Sequence, residues 1–154
     1  MNINIIAVGK IREKYIEEGI AEFEKRIQPY SSLKITEINA ENLKHSEEKC
    51  REIEGDKILN LINEGAYVIT LEIKGKELSS EKFAEKIKDL SCSGINQVVF
   101  VIGGATGLHE KVSSRADFKL SMSQMTLVHQ MARLFLIEQI YRAFKIIKNE
   151  PYHK

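Results

Sequence analysis

The stretch that most restricts the fold is residues 98–108, VVFVIGGATGL. Val98, Val99, Phe100, Val101 and Ile102 form an unbroken apolar run, mostly β-branched. A strand with one wet face alternates apolar and polar side chains. A strand without alternation needs cover on both faces, as in a parallel sheet between helix layers. The run stops at Gly103-Gly104 and closes with Thr106-Gly107. The glycines therefore stand at the strand's carboxyl end, the edge where ligands sit in open α/β sheets. Glycine also lets backbone approach a ligand closely.

The rest of the chain fits that frame. Residues 2–8 (NINIIAV) read as a first strand. Ile16, Ile20, Phe23 and Ile27 recur at steps of four, three and four, one face of a helix that Pro29 ends. Residues 33–38 suggest a second strand. Cys50, Ile53, Ile58, Leu61 and Ile62 suggest a second helix ending near Gly65, its charged portion at 44–56 lying in solvent. Residues 67–72 are a third strand and 73–77 a turn. Ser79 or Ser80 caps a third helix with Phe83, Ile87 and Leu90 inward. After the fourth strand, 97–102, come a short helical or irregular piece at 109–116, a brief strand at 117–121, a polar loop at 121–126 and a final helix over about 128–149. That helix shows an apolar stripe of Met131, Leu134, Phe135, Ile140, Phe144 and Ile147. Strands alternating with helices predict an α/β fold with a mostly parallel sheet flanked by helices. One domain over 1–154 is the economical reading.

Composition excludes several functions. Of 154 residues, 43% are hydrophobic and 29% charged, as in a folded globular chain. A net charge of +1 argues against a generic polyanion binder, whose affinity comes from many cation–phosphate contacts. Cys50 and Cys92 form no CxxC pair and stand near no histidine at zinc spacing, so no metal is expected. No apolar run approaches the ~20 residues that span a bilayer. The amino-terminal run lacks a basic segment and a cleavage site. A cytoplasmic protein without membrane contact is the expectation.

Three ligand classes compete for the glycine loop. A P-loop requires Lys and Ser/Thr after its last glycine, and His109-Glu110 follow here. GGATGL also resembles the turn of short-chain dehydrogenases, and Tyr141 with Lys145 reproduces a YxxxK pair. A dinucleotide fingerprint, however, belongs after the first strand, and too little chain follows this one. The third class is a nucleoside-type cofactor held among three loops at one sheet edge: 71–75, 103–108 and 121–127. Backbone groups there would read an adenine edge between walls of Leu71, Met125 and Leu127.

Several motifs together carry a family resemblance. These are Gly103-Gly104 with Gly107-Leu108, Leu120-Ser121-Met122-Ser123 through Met125-Thr126, His129, Arg133, the run from Glu138 through Tyr141-Arg142-Ala143, and Pro151-Tyr152-His153. The chain resembles the ribosomal RNA large subunit methyltransferase H family, a small bacterial branch of the SPOUT methyltransferases. The resemblance implies a C-terminal deep trefoil knot, a rare exception to unknotted topology. It implies a homodimer with each site finished by the partner, and S-adenosylmethionine bound in the knot. It implies methylation of N3 of a pseudouridine in 23S rRNA, on the large subunit or the assembled 70S ribosome. By motif position Leu71, Gly103, Met122, Ser123, Gln124, Met125, Thr126 and Leu127 would contact the cofactor. A non-catalytic nucleoside-binding regulator of the same fold is the alternative.

An imide N3–H is a poor nucleophile until its proton leaves, so a base or an anion-stabilising group is required. Tyr152 or His153, on the tail, is expected to deprotonate or orient the base. Arg142 and Arg133 are expected to hold phosphate or the imide oxygens, with His129 and Glu138 completing the substrate contacts. A plain helix salt bridge for Glu138–Arg142 and a frayed terminus for the tail are the competing readings.

Overall fold

The computed structural model describes residues 1–42 and 44–154. Its elements run β1 (Asn2–Val8), α1 (Lys14–Ile27), β2 (Ser32–Ile38), α2 (Glu47–Asn60), β3 (Tyr67–Glu77), α3 (Ser80–Cys92), β4 (Gln97–Ile102), α4 (Glu110–Arg115), β5 (Phe118–Ser121) and α5 (His129–Ile147). The strands lie in the order β2-β1-β4-β3-β5, and every pair is parallel. All strand carboxyl ends, with their loops, therefore share one edge.

The unbroken apolar run of β4 is explained by its neighbours on both faces. Val98, Phe100 and Ile102, with Ile3, Ile5 and Ala7 of β1, pack in one core with α1, α3 and α5. Val99 and Val101, with Ile6 and Val8, pack with Ile58 of α2 and Val112 of α4. None of these strand residues is more than 4% exposed. Each of the valine, isoleucine and phenylalanine side chains among them stabilises the fold by about 1.5–3 kcal/mol. A polar residue on either face of β4 would forfeit that and leave a buried group without a partner.

Three local expectations are corrected. The turn expected at 73–77 is strand: β3 continues to Glu77 through a register shift, and Leu120 pairs with both Leu71 and Lys76. The chain between makes an excursion past β5. Glu72 fixes it, accepting from Thr70 Oγ1 at 2.7 Å and from Ser113 Oγ at 3.0 Å. Gly75 permits it, because a Cβ there would stand 2.7 Å from the Leu120 carbonyl carbon. Alternation over so short a segment gave no sign of the bulge.

The charged stretch of α2 is not simply solvated. Ser46 caps the helix as an acceptor from Lys49 N–H at 3.2 Å, but Glu54 and Gly55 are buried and the helix ends at Asn60. Gly55 lets α2 sit close to α4: a Cβ would lie 3.2 Å from His109 Cβ.

The inward stripe of α5 is also different. Arg133, Leu136, Ile137, Ile140, Tyr141, Ala143 and Phe144 are buried, whereas Phe135 is 42% exposed. Helix packing on two sides shifts the stripe, because α5 lies against both α1 and α3. Its start also completes α1. Glu13, the N-cap of α1, supplies no side-chain cap; instead Gln130 Oε1 accepts from Arg12 N–H at 2.9 Å.

Candidate active site

A cavity of about 480 Å³ opens at the carboxyl edge of the sheet. Phe83, Leu120, Leu127 and Phe135 give it apolar walls; Ser79, Ser80, Ser123 and Gln139 are among its polar residues. It forms where β3 runs into α3, where β5 ends, and where α5 crosses both. Ser79 is fixed there because its hydroxyl caps α3, accepting from Lys82 N–H at 3.2 Å.

Of the residues expected to contact a cofactor, Met122, Ser123 and Leu127 line this cavity. Gln124, Met125 and Thr126 are exposed on the same loop. Leu71 lies one strand in, paired with Leu120, and Gly103 follows β4 a further strand in. Neither Leu71 nor Gly103 lines the cavity itself. A Cβ on Gly103 would stand 2.9 Å from the Gly107 carbonyl carbon and 3.1 Å from Leu108 Cδ2, so the loop is closed against its own glycine. Gly107 has φ +82° and donates its N–H to Gly104 O at 3.1 Å.

Sequence reasoning missed the α3 side of the cavity and Gln139. Ser79 and Ser80 were legible only as caps. Their place in the wall depends on β3 passing β5, which local pattern does not reveal.

The tail is ordered rather than frayed. Asn149 takes φ 54° and turns the chain back, and Glu150 is anchored by Lys145 Nζ at 2.6 Å and by Tyr30 Oη. Tyr152 then packs edge-on against Tyr141, ring centroids 4.8 Å apart. Its hydroxyl donates to Glu138 Oε1 at 2.9 Å. Arg142 donates to the same oxygen from Nε at 3.0 Å and from Nη2, with its guanidinium 4.7 Å from the Tyr152 ring centroid. Burial, and then the bond to Glu138, push the Tyr152 hydroxyl above its ordinary value. Tyr152 is therefore a protonated donor in this arrangement.

His153 joins the same cluster. Its Nδ1 lies 3.3 Å from Arg142 Nη1, and its Nε2 lies 2.8 Å from Glu81 Oε1. Arginine only donates, so Nδ1 must accept, and the ring proton sits on Nε2 facing Glu81. Glu81 is held down to about 2, first by its own backbone N–H, then by His153 and Ser79. A side-chain path connects this cluster to the cavity wall. Gln139 Nε2 donates to Glu138 Oε2 at 2.8 Å, and Ser80 Oγ donates to Gln139 Oε1 at 2.7 Å.

The structure thus brings Tyr152, His153, Arg142 and Glu138 together, but not His129 and Arg133. Arg133, 1% exposed, donates to Glu37 Oε1 at 2.5 Å and to Gly9 O at 3.0 Å. The expected contact with RNA is corrected on this geometry: the guanidinium reaches no surface and instead ties α5 to the ends of β1 and β2. His129 sits beside it, its Nε2 3.8 Å from where a Cβ on Gly9 would be. Burial, then Arg133 and Arg12, lower its pKa. The dehydrogenase-like pair also dissolves: Tyr141 is a core residue, and Lys145 is engaged by Glu150 and Tyr30.

Among the described residues no helix is long and apolar enough to cross a membrane. The sequence pattern of a family described as "Predicted SPOUT methyltransferase" matches residues 1–153. A Carboxydothermus hydrogenoformans protein named ribosomal RNA large subunit methyltransferase H is 52% identical over 159 residues, covering 100% of both chains. A Clostridioides difficile protein of the same name is 50% identical, again over 100% of both. A solved structure described as a probable methylase family protein from Haemophilus influenzae Rd KW20 matches with a TM-score of 0.56 at 14% identity. It covers 99% of this chain and 70% of that one, and at such identity the likeness concerns the fold alone.

Proposed function

We propose that this chain, which belongs to the SPOUT methyltransferase family, methylates N3 of a pseudouridine in 23S ribosomal RNA with S-adenosylmethionine as donor. The observation that carries this reading is the side-chain path from the cavity wall to the tail. Ser80 and Gln139 join a donor-sized pocket to Glu138, Arg142, Tyr152 and His153. A donor site and an acceptor site must adjoin for in-line transfer, since alignment supplies much of the rate.

The residues suit such a donor. A volume of about 480 Å³ falls within the range of small-molecule sites, with apolar walls and few polar anchors. Met122, Ser123 and Leu127 would hold it, together with Gln124, Met125, Thr126, Leu71 and Gly103. When bound, S-adenosylmethionine supplies an electrophilic sulfonium methyl. The protein's own task is to exclude water and to help the imide lose its proton. Arg142 is placed to bond an imide oxygen and stabilise the anion. In doing so it would leave His153 Nδ1, freeing that lone pair to take the N3 proton, while Tyr152 orients the base. Glu138 holds Arg142 and Tyr152 in register.

The surface supports the expected partners. Met125, Val128 and Phe135 are 78%, 65% and 42% exposed, and Phe135 also lines the cavity. A second copy of the chain covering them would finish the site as a homodimer. Near-neutral charge suits docking on a preformed surface, the large subunit or the 70S ribosome, better than gripping bare RNA. A C-terminal knot is part of the same reading.

Mass spectrometry of ribosomal RNA tests the reading. Ribosomes lacking the modification are incubated with the protein and methyl-labelled S-adenosylmethionine. One label on a 23S pseudouridine, and a weaker signal with naked rRNA, is the expected result. Cofactor binding without transfer to any ribosomal particle would favour the regulator instead.

A further inference from the structure

The glycine loop is held from the layer opposite the cavity by α2. Arg51 Nη1 donates to Thr106 O at 3.2 Å. Just past the loop, His109 Nε2 lies 3.1 Å from Glu48 and Lys111 Nζ 2.8 Å from Asp56. On the same helix Glu54 is 5% exposed. Its Oε1 accepts from Glu41 N–H at 3.0 Å, and among the described residues its Oε2 has no partner. That oxygen lies 3.9 Å from where a Cβ on Gly104 would be. On the same helix Lys57 is paired with Glu41 at 2.5 Å and Arg51 with Glu48 at 2.7 Å.

A buried carboxylate oxygen without a partner is costly and uncommon, so any state that brings it a donor gains by that bond. The loop beside it holds such donors. Gly104 and Gly107 bond to each other through Gly107 N–H and Gly104 O, and Arg51 takes the Thr106 carbonyl, so these known ties use one loop N–H and two carbonyls. A Cβ on Gly104 would stand 3.0 Å from Val8 Cγ1, so only backbone fits between the loop and this part of the core.

We propose that Glu54 is a positioning residue for the methyl-donor site, its Oε2 accepting a backbone N–H of residues 103–106 when the donor occupies the cavity. The inference rests on the methyl-donor reading above. It makes donor binding and loop geometry one equilibrium: the donor favours the loop position in which the buried oxygen is satisfied. Glu54 touches neither donor nor RNA; it acts through the loop.

The test uses Glu54→Gln, which keeps the shape. Glu41 N–H holds the remaining carbonyl oxygen in place, so the amide nitrogen replaces Oε2 and turns an acceptor toward loop donors into a donor. Titration calorimetry with S-adenosylmethionine should show affinity weakened about tenfold or more. The Tm of the donor-free variant should be unchanged or higher, because a buried charge has gone. Hydrogen exchange should show an amide among 103–106 protected by the donor in the original chain and unprotected in Glu54→Gln. Glu54→Asp, which keeps the charge but retracts it, should also bind weakly. Equal donor affinity for Glu54→Gln and the original chain overturns the inference alone. So does a joint fall in Tm and affinity with the amide protection unaltered, which marks a structural role. If the original chain binds no S-adenosylmethionine, the methyl-donor reading falls and this inference with it.

Discussion

The pair Arg133–Glu37 separates a structural arginine from an RNA-binding one by the order of two stabilities. Arg133 is 1% exposed in its side chain and Glu37 36%. Removing the carboxylate leaves a guanidinium buried without its counter-ion, and such half-broken pairs cost about 3–5 kcal/mol. Gly9 O still accepts from Nη2, so Glu37→Ala belongs near about 3 kcal/mol, the lower end of that range. Removing the arginine is milder. Glu37 already reaches water, methionine fills much of the volume, and the main loss is the bond to Gly9 O, about 1 kcal/mol. Glu37→Ala should therefore be less stable than Arg133→Met by about 2 kcal/mol, a factor of roughly 30 in the unfolding equilibrium. The double variant should resemble Arg133→Met. Urea unfolding of the three variants measures this, with methylation kinetics alongside. If Arg133→Met raises KM for the ribosome while unfolding at the original urea concentration, Arg133 contacts RNA and the structural assignment is wrong.

Removing residues 152–154 should abolish methylation and leave S-adenosylmethionine affinity nearly intact; a truncated chain that methylates at the normal rate would clear the tail of any catalytic part. Gly103→Val should lose donor affinity before it loses the fold, because even its Cβ would press on Gly107 at 2.9 Å; calorimetry and thermal unfolding on the same sample give the order. The Glu81–His153 contact should loosen in acid. Glu81 sits at about 2 when folded against an ordinary 4.5, so its contribution is full above about pH 4.5 and lost as pH falls toward about 2. Exchange at the tail amides over that range should rise in the original chain and be already high in Glu81→Gln. Phe135→Asp should shift sedimentation toward monomer, and an unchanged dimer would move the interface elsewhere.

What the sequence disclosed was what short-range pattern encodes. The β4 run required cover on both faces, and it has it. The step of four, three and four from Ile16 to Ile27 placed α1 correctly at its core face. Residues that are neighbours in sequence stay together: Met122, Ser123 and Leu127 line the cavity, and Tyr152 and His153 share one cluster. Sequence reasoning failed where the answer depends on packing between distant elements. Arg133 looked like a free cation because nothing local shows that Glu37, 96 positions away, meets it. Phe135 looked like core because a helix packed on two sides has more than one candidate stripe. Ser80 was legible only as a cap and Gln139 only as part of the run from Glu138, since their meeting depends on how α3 packs against α5.

Helix α5 explains why the expected RNA-binding quartet had to separate. Residues 133 and 138 are five positions apart, and at 100° per residue their side chains leave the helix about 140° from each other. One face therefore meets β1 and β2, where Arg133 is bonded to Gly9 and Glu37. The other meets α3 and the returning tail, where Glu138 and Arg142, one turn apart, meet Tyr152 and His153. The first face is fixed by a buried guanidinium whose carboxylate partner reaches water; the second is half-open, its donors and acceptors shared among Glu138, Arg142, Tyr152 and His153. A single rigid helix thus sets the position of the exchangeable cluster by anchoring its opposite side to the sheet. With the roles proposed above, a substitution at Arg133 should alter methylation only by moving the helix, whereas one at Arg142 should alter it directly, and the comparison of kcat with stability for the two variants measures this.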